Sequence, residues 1–439
     1  MSPAPATKIV VLDDDPTGTQ TVHGIPVLTE WSVPSLVAEL TAPGPCFYVL
    51  TNSRAWTAPQ ACALNREIGR NLVDAGRECG RSFRIVSRSD STLRGHYPAE
   101  TDALAEALGG NFDATLIIPA FFEGGRVTLN DIHYVVGLGG RVPAGETEFA
   151  RDATFGYRSS NLREWVEEKT AGRVKAGEVA AISLDDLRGD PAVLVARLAA
   201  LAGGAVAIVN AAEPGDLQAL VGALAVAEAT GKRFLFRTAA SFVAAYAGIV
   251  ARPLLRAGEI AAPGRGGGLV VVGSHVGKTS LQLESLWRDP AVSAVELVVE
   301  KLLVPETRAG AVAAAAQKVE ALLGQGANVA LFTSRQLVTG RDAGENLAIG
   351  GIVSRSLVEI VAALGTRPRW LVAKGGITSS DVATGALGVR RALILGQALP
   401  GVPVWQLGPE TRWPGLAYVV FPGNVGDSDA LSHLVAMLG

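Results

Sequence analysis

Short, unbroken apolar runs recur along the chain, and each one stops at a cluster of polar or glycine residues. The first, residues 9–12, ends abruptly at Asp13, Asp14 and Asp15. Residues 47–51 end in Asn52-Ser53-Arg54, and residues 83–86 run into Ser87-Arg-Ser-Asp-Ser-Thr-Leu-Arg-Gly-His96. Residues 115–119 precede Ala120-Phe-Phe-Glu-Gly-Gly-Arg126. Such runs, bounded by turn residues, predict strands buried on both faces, as in a parallel sheet. Helical spacing fills the gaps, over 58–75 and again from Pro98, where Glu100 and Asp102 suit the positive end of a helix dipole. Further strands are expected at 205–210 and 233–237. The β-then-α alternation predicts a parallel sheet covered by helices. From 127 to about 161 the pattern fades into polar, glycine-rich sequence, which predicts a long functional loop or lid.

Residues 251–268 break the alternation, and Ala261-Ala-Pro-Gly-Arg-Gly-Gly-Gly268 is turn-rich. A chain of 439 residues exceeds what one core usually holds. We therefore expect a first domain over 1–255, a linker over 256–268 and a second domain over 269–439. The second half has strand candidates at 269–272, 294–299, 329–333, 370–373, 392–395 and 418–421, with helices at 310–323 and 345–364. The expected fold class is α/β, two domains, each a mostly parallel β-sheet flanked by helices, with an active-site cleft between the domains.

Composition narrows the function classes. The apolar fraction is 48%, and a net charge of -3 supplies no general basic field, so nucleic-acid binding has no electrostatic support. Cys46, Cys62 and Cys79 have no metal-ligand spacing and cannot all pair, which fits a reducing, cytoplasmic setting. The first eight residues lack the basic and apolar segments of a secretion signal. The longest apolar region, 193–212, is broken by Arg197 and Gly203-Gly204, so no membrane span is expected. His23, His96, His133, His275 and His433 are scattered without metal-binding spacing. For His96 and His133 a substrate contact and a structural role are equally open.

Two groups of residues carry candidate chemistry. A single Asp at the end of a strand is an ordinary helix cap. Three in a row repel one another and are costly to desolvate, so Asp13, Asp14 and Asp15 point to cations, donors or a substrate nearby. Pro16-Thr17-Gly18 turns the chain there. Arg88, Asp90, Ser91, Thr92 and Arg94 crowd one strand-to-helix turn, with Arg126 a further candidate; guanidinium groups beside hydroxyls clamp a carboxylate. The arginines also suit a structural network around the aspartates, and an anionic polyol would need both. In the second half, Gly273-Ser-His-Val-Gly-Lys-Thr279 has one residue too few for a P-loop. It still presents backbone N–H groups to an anion. Similar turns recur at Lys374-Gly-Gly-Ile-Thr378 and Gly423-Asn424, so three glycine turns converging on a polyphosphate are expected. For Lys374, phosphate neutralisation and a surface role are equally open.

Taken in order, these segments resemble the four-carbon acid sugar kinase family over nearly the whole length. Asp14-Asp-Pro-Thr-Gly18 matches the family's Asp-Asp-Leu-Thr-Gly, Asp90 to Gly95 match its Asp-Ser-Thr-Leu-Arg-Gly without change, and Pro119 to Arg126 match its Pro-Ala-Phe-x-x-x-Gly-Arg. His133-Tyr-Val135 and Ser160-Asn-Leu162 also fit. The resemblance implies an acid-sugar-binding first domain, a nucleotide-binding second domain, and ATP-dependent phosphorylation of a tetronate or 3-oxo-tetronate hydroxyl, with Mg2+ bridging the phosphates. It implies Asp14, Asp15, Asp90, Ser91 and Arg94 at the substrate, and of these we take Asp14 or Asp15 as the catalytic residue that orients or deprotonates the attacking hydroxyl. Ser274, Gly375, Gly376, Gly423 and Asn424 fall at the nucleotide. To these our reading of the residues adds Asp13, Thr17, Arg88 and Arg126 for substrate, and Lys374 and Thr378 for nucleotide. The partners implied are a small acid sugar and ATP, without nucleic acid or membrane, and a homo-oligomer is left open. The chain departs from the family at Asp13, Pro16, Thr19-Gln-Thr21, Val276, Ile377 and Phe421; Lys374 or Lys278 would restore cationic charge near the nucleotide. Two rivals stay open: a regulatory metabolite-binding protein with a degraded nucleotide site, and a nicotinamide-dependent hydroxy-acid oxidoreductase, which would lack the usual glycine fingerprint after its first strand.

Overall fold

The computed structural model describes residues 7–137, 139–264, 266–336, 338–341 and 343–439. The expected lack of a signal segment therefore falls mainly on residues outside the described ones. The chain divides into two compact units, Met1–Ala251 and Arg252–Gly439. Among the described residues no helix is long and apolar enough to cross a membrane.

The main strands of the first unit are β1 (Lys8–Asp13), β2 (Ile25–Leu28), β3 (Cys46–Leu50), β4 (Phe83–Arg88) and β5 (Ala114–Ile118). A small group follows, β6 (Arg126–Leu129), β7 (Ile132–Gly137) and β8 (Gly140–Pro143), and then β9 (Ala180–Ile182), β10 (Ala205–Val209) and β11 (Phe234–Thr238). The main sheet has the order β2-β3-β1-β4-β11-β5-β10-β9, and its strands are parallel. Register sets the site: Asp13, the last residue of β1, pairs with Leu50 on one side and Arg88 on the other. One core, built on Val10, Leu12, Phe47, Val49 and Ile85, packs against Ile68 and Leu72. Both lie on the helix Ala58–Cys79. That helix starts at a Thr57/Gln60 capping box and stops at Gly80, whose φ of 64° a side chain would strain.

The expected loop over 127–161 is a correction. Its first part is an antiparallel meander, β6-β7-β8. The β6–β7 connection is the two-residue pair Asn130-Asp131, both with positive φ (49° and 66°), which is the local geometry that closes a tight hairpin. Asn and Asp tolerate that region, and the short alternating strands beside them are too brief to stand out by periodicity.

The second unit holds β12 (Leu269–Val272), β13 (Val292–Leu297), β14 (Asn328–Thr333), β15 (Leu371–Lys374), β16 (Arg391–Leu399), β17 (Val402–Leu407) and β18 (Ala417–Phe421). Their order is β13-β14-β12-β15-β18-β17-β16. The strands from β13 to β18 pair in parallel, and β17 and β16 join antiparallel. The long helices are Pro305–Gly324 and Ala343–Ala363. The neighbouring strands β12, β15 and β18 carry the three glycine turns at their carboxyl ends. Val272 pairs with Lys374, and Lys374 pairs with Phe421. Val270, Trp370, Val372 and Val419 are buried in the core beneath.

Candidate active site

In a parallel sheet, groups at the carboxyl ends of neighbouring strands converge. The end of β1 is pinned by β3: the Asp13 carbonyl accepts from the Thr51 N–H at 2.8 Å and from its hydroxyl at 2.9 Å. The chain then enters a 3-10 turn, Pro16–Thr19, capped by Asp15, whose carboxylate accepts the Thr17 N–H at 2.7 Å and the Thr17 hydroxyl. Gly18 is required by close approach. A Cβ there would lie 2.0 Å from Asp13 Oδ2 and 2.4 Å from Arg88 Nη1.

Around this turn the carboxylates and guanidinium groups interlock. Arg88 Nη1 lies 3.1 Å from Asp13 Oδ1 and 3.8 Å from Asp14 Oδ1. Arg54 spans Asp14 at 3.3 Å, Asp15 at 2.5 Å and Asp90 at 3.9 Å. Arg94 Nε meets Asp90 Oδ2 at 2.6 Å, and its Nη1 meets Asp152 at 3.6 Å. Ser89 donates to Asp14, and Thr92 donates to Asp90. Depth separates the members. Asp13, Asp14 and Arg88 are almost wholly buried, whereas the side chains of Arg54, Asp15, Asp90 and Arg94 keep 17%, 18%, 13% and 23% exposure. The exposed members are the ones a bound molecule can touch.

The charges are tuned differently. Burial drives the Asp13 carboxyl up to about 7, with Arg88 opposing and Asp14 and Asp15 reinforcing. Burial also works against Asp15, but Arg54 and the Thr17 hydrogen bonds outweigh it and hold that carboxyl below its ordinary value. Asp90 is likewise held low against burial, by Arg94 and Arg54. Asp13 Oδ2, Arg88 Nε and Arg126 Nε are buried with no hydrogen-bond partner among the described residues. Unpaired buried donors and acceptors are costly, and they gather here.

Of the substrate residues expected from sequence, Asp13, Asp14, Asp15, Thr17, Arg88, Asp90 and Arg94 meet in this cluster. Arg126 approaches it through Phe149: its guanidinium carbon lies 5.9 Å from that ring's centre, and the Arg94 carbon lies 5.1 Å from it. Ser91 is buried in the same turn, and its carbonyl receives His133 Nε2 at 2.7 Å. His133 is fully buried between Ser91 and Thr128, and burial pushes it down to about 4, so it is a structural imidazole. His96 is also structural, its Nε2 shared by the Ser53 and Trp56 carbonyls at 3.1 and 3.0 Å. Sequence reasoning missed Arg54, Ser89, Asp152 and Arg237. Arg237 is buried with its Nη2 on the Arg94 carbonyl at 3.0 Å. The available signal was an arginine at or just beyond the polar end of an apolar strand, which describes both Arg54 and Arg237.

The second unit assembles its polar turns through the backbone. Gly375, with φ of 109°, donates its N–H to the Phe421 carbonyl at 2.8 Å. A Cβ on Gly375 would sit 3.1 Å from Ser274 Cβ, one on Gly273 would sit 2.3 Å from Thr378 Oγ1, and one on Gly423 would sit 3.0 Å from Ser274 Oγ. Ser274 Oγ is 3.1 Å from Thr279 Oγ1, which donates to the Gly423 carbonyl at 3.1 Å. Ser274, Gly375, Thr378 and Gly423 are thus drawn together, with Gly376 half-buried beside them and Asn424 exposed. Arg335, unremarked in the sequence, donates to the Ser274 carbonyl at 2.8 Å. Lys374 is fully buried: its ammonium donates to the Pro422 carbonyl at 3.0 Å and stands 4.0 Å from the centre of the Phe421 ring. Burial, with Lys278 and Arg335 nearby, pushes it down to about 7. Among the described residues no group of three or more His, Cys, Asp or Glu side chains is set to hold a metal ion.

One unit gathers paired charges and the other gathers glycine turns. Residues 9–246 match the model of a sugar-binding N-terminal domain, and residues 269–431 match that of a nucleotide-binding C-terminal domain. The chain belongs to the four-carbon acid sugar kinase family. It is 30% identical to a D-threonate kinase of Cupriavidus necator over 86% of this chain and 84% of that one. A D-threonate kinase of Bordetella bronchiseptica is 32% identical over 40% of this chain and 38% of its own. A crystal structure of a Haemophilus influenzae protein shares the fold with a TM-score of 0.66 at 20% identity, covering 98% of this chain and 100% of that one.

Proposed function

We propose that the chain is an ATP-dependent kinase that phosphorylates a hydroxyl of a small acid sugar of the tetronate or 3-oxo-tetronate type. The observation that carries this reading is the buried Asp–Arg network at the ends of β1, β3 and β4, whose accessible members are of both signs. An acid sugar presents one carboxylate and several hydroxyls. In this reading Arg94 and Arg126 receive the carboxylate, while Asp15 and Asp90, held ionised, accept hydrogen bonds from hydroxyls. Asp15, partly exposed, or Asp14, reached once Arg54 turns aside, orients or deprotonates the attacking hydroxyl.

The glycine turns of the second unit suit the nucleotide, since residues without a Cβ let the backbone come close to phosphate oxygens. Ser274, Gly375, Gly376, Thr378, Gly423 and Asn424 line those turns, and buried Lys374 braces two of them. ATP would supply the phosphoryl group and Mg2+ would neutralise its charge; with no carboxylate cage among the described residues, the ion would be held mainly by phosphate oxygens and water.

The test is a screen for ADP release in Mg2+ across aldonates and oxo-aldonates of four to six carbons, with D-threonate, the substrate named for the relatives, tried first. Turnover of a four-carbon acid sugar supports the proposal. Acid-sugar binding without turnover on any member would favour the regulatory alternative, for which the exposed apolar Val276 and Ile377 beside the glycine turns speak.

A further inference from the structure

We propose that the first unit carries a second ligand site, for a small polyanion, in a cavity at the amino-terminal ends of β1, β4 and β11. The cavity encloses about 560 Å³, within the roughly 300–1,000 Å³ of small-molecule pockets. Thr7, Phe83 and Phe234 lie on its wall, and the same three strands end in Asp13, Arg88 and Thr238. A strand of five or six residues spans roughly 17–20 Å, so the cavity and the Asp–Arg cluster lie at opposite ends of the sheet.

The lining holds five cationic side chains, Arg77, Arg81, Arg84, Lys232 and Arg233, against the single carboxylate of Glu228. Helices Ala58–Cys79 and Pro214–Ala229 end nearby, and the negative end of a helix attracts a cation or two. Five exceed that need. Three are engaged: Arg77 with Asp74 at 3.3 Å, Arg84 with Glu228 at 2.9 Å, and Lys232 with Asp113 at 3.1 Å. Arg81 and Arg233 have no ion-pair partner among the described residues. The Arg233 guanidinium lies over the Phe112 ring at 5.0 Å, an arrangement that leaves its N–H edge available. Arg81 is fixed by the turn that ends the first helix, where its N–H donates to the Gly76 carbonyl at 3.0 Å.

Glu228 occupies the cationic wall as a built-in counter-anion. It is buried, accepts the Tyr246 hydroxyl and pairs with Arg84. An entering polyanion would compete with it for Arg84 and take the open guanidinium groups of Arg81 and Arg233. Phosphate and carboxylate both match those forks, so pyrophosphate and tricarballylate are the two probes that separate the sources.

The experiment is hydrogen exchange of the full chain with each probe, paired with a binding titration. Protection is expected over residues 76–85 and 231–234, weakening with added salt. The double variant R81Q/R233Q changes only side chains at the rim. It should abolish that protection and weaken binding about tenfold or more. E228Q should act in the opposite sense, tightening binding several-fold by freeing Arg84. Absence of protection at these segments with both probes, or protection unchanged in R81Q/R233Q, would overturn the proposal.

Discussion

The two polar regions are built from different chemistry, and under the proposed function they would recognise their ligands differently. In the first unit the determinants are side chains: guanidinium and carboxylate groups buried together, each tuned by the others. In the second unit they are mainly backbone, at Gly273 and Gly375, where a Cβ would crowd Thr378 Oγ1 and Ser274 Cβ, and at the looser Gly423. A side-chain network distinguishes one small polyol from another by the position of each charge. A glycine cradle instead fits the repeated geometry of phosphate. The contrast teaches where substitutions should change chemistry and where they should change only affinity.

The largest effect should come from the side-chain region. Asp14→Asn keeps shape and removes charge beside Ser89, Arg54 and Arg88; kcat should fall by about 10²–10⁴-fold while ATP affinity stays near that of the wild type. Steady-state kinetics with a separate nucleotide titration would decide. An equal loss of ATP affinity would break the division between the two regions.

Next in size is a pH effect at Asp13. Its folded carboxyl titrates near 7, against roughly 3.9 in an unfolded chain. Between those values the folded protein keeps a proton that the unfolded chain has lost. The stability contributed by this group is therefore full at low pH and declines as pH climbs from about 4 to about 7. Asp13→Asn mimics the protonated form, so its melting temperature should gain on the wild type across that window and run parallel above it. Asp15 and Asp90, held low, work in the opposite sense: what they contribute is lost as pH falls. A wild-type-to-variant difference that does not change with pH would show that Asp13 is ionised throughout.

The smallest pair sharpens the contrast. Gly18→Ala forces a methyl into Asp13 and Arg88, and should cost about 1–3 kcal/mol in thermal or denaturant unfolding. Gly423→Ala meets only the Ser274 hydroxyl at 3.0 Å, which can turn aside. It should leave stability almost unchanged while weakening binding of a non-hydrolysable ATP analogue a few-fold. Equal destabilisation by the two would mean that the glycine turns are as tightly packed as the charge network.

The sequence by itself determined the strand-and-turn rhythm. Apolar runs at 9–12, 47–51, 83–86 and 269–272 are local signals, and each became a strand within a residue or two. It also marked Asp13 to Asp15, the Arg88-to-Arg94 turn and the three glycine turns, because clustered charge or glycine after an apolar run is visible without knowing the fold. Other elements were not legible: β2 and β17 each carry an internal proline, Pro26 and Pro403, β9 is only three residues long, and the Asn130-Asp131 hairpin turn lay hidden in a polar stretch. Tertiary structure alone decided strand order, and with it which distant residues became neighbours. Arg54 joined the aspartates because β3 lies beside β1, and Arg237 reached Arg94 because β11 lies beside β4. Lys374 came to stand over Phe421 because β15 and β18 pair in register. Burial was decided there too. Whether a carboxyl sits near 7 or well below its usual value depends on what the packed chain places around it, a property of neighbours in space that no local pattern contains.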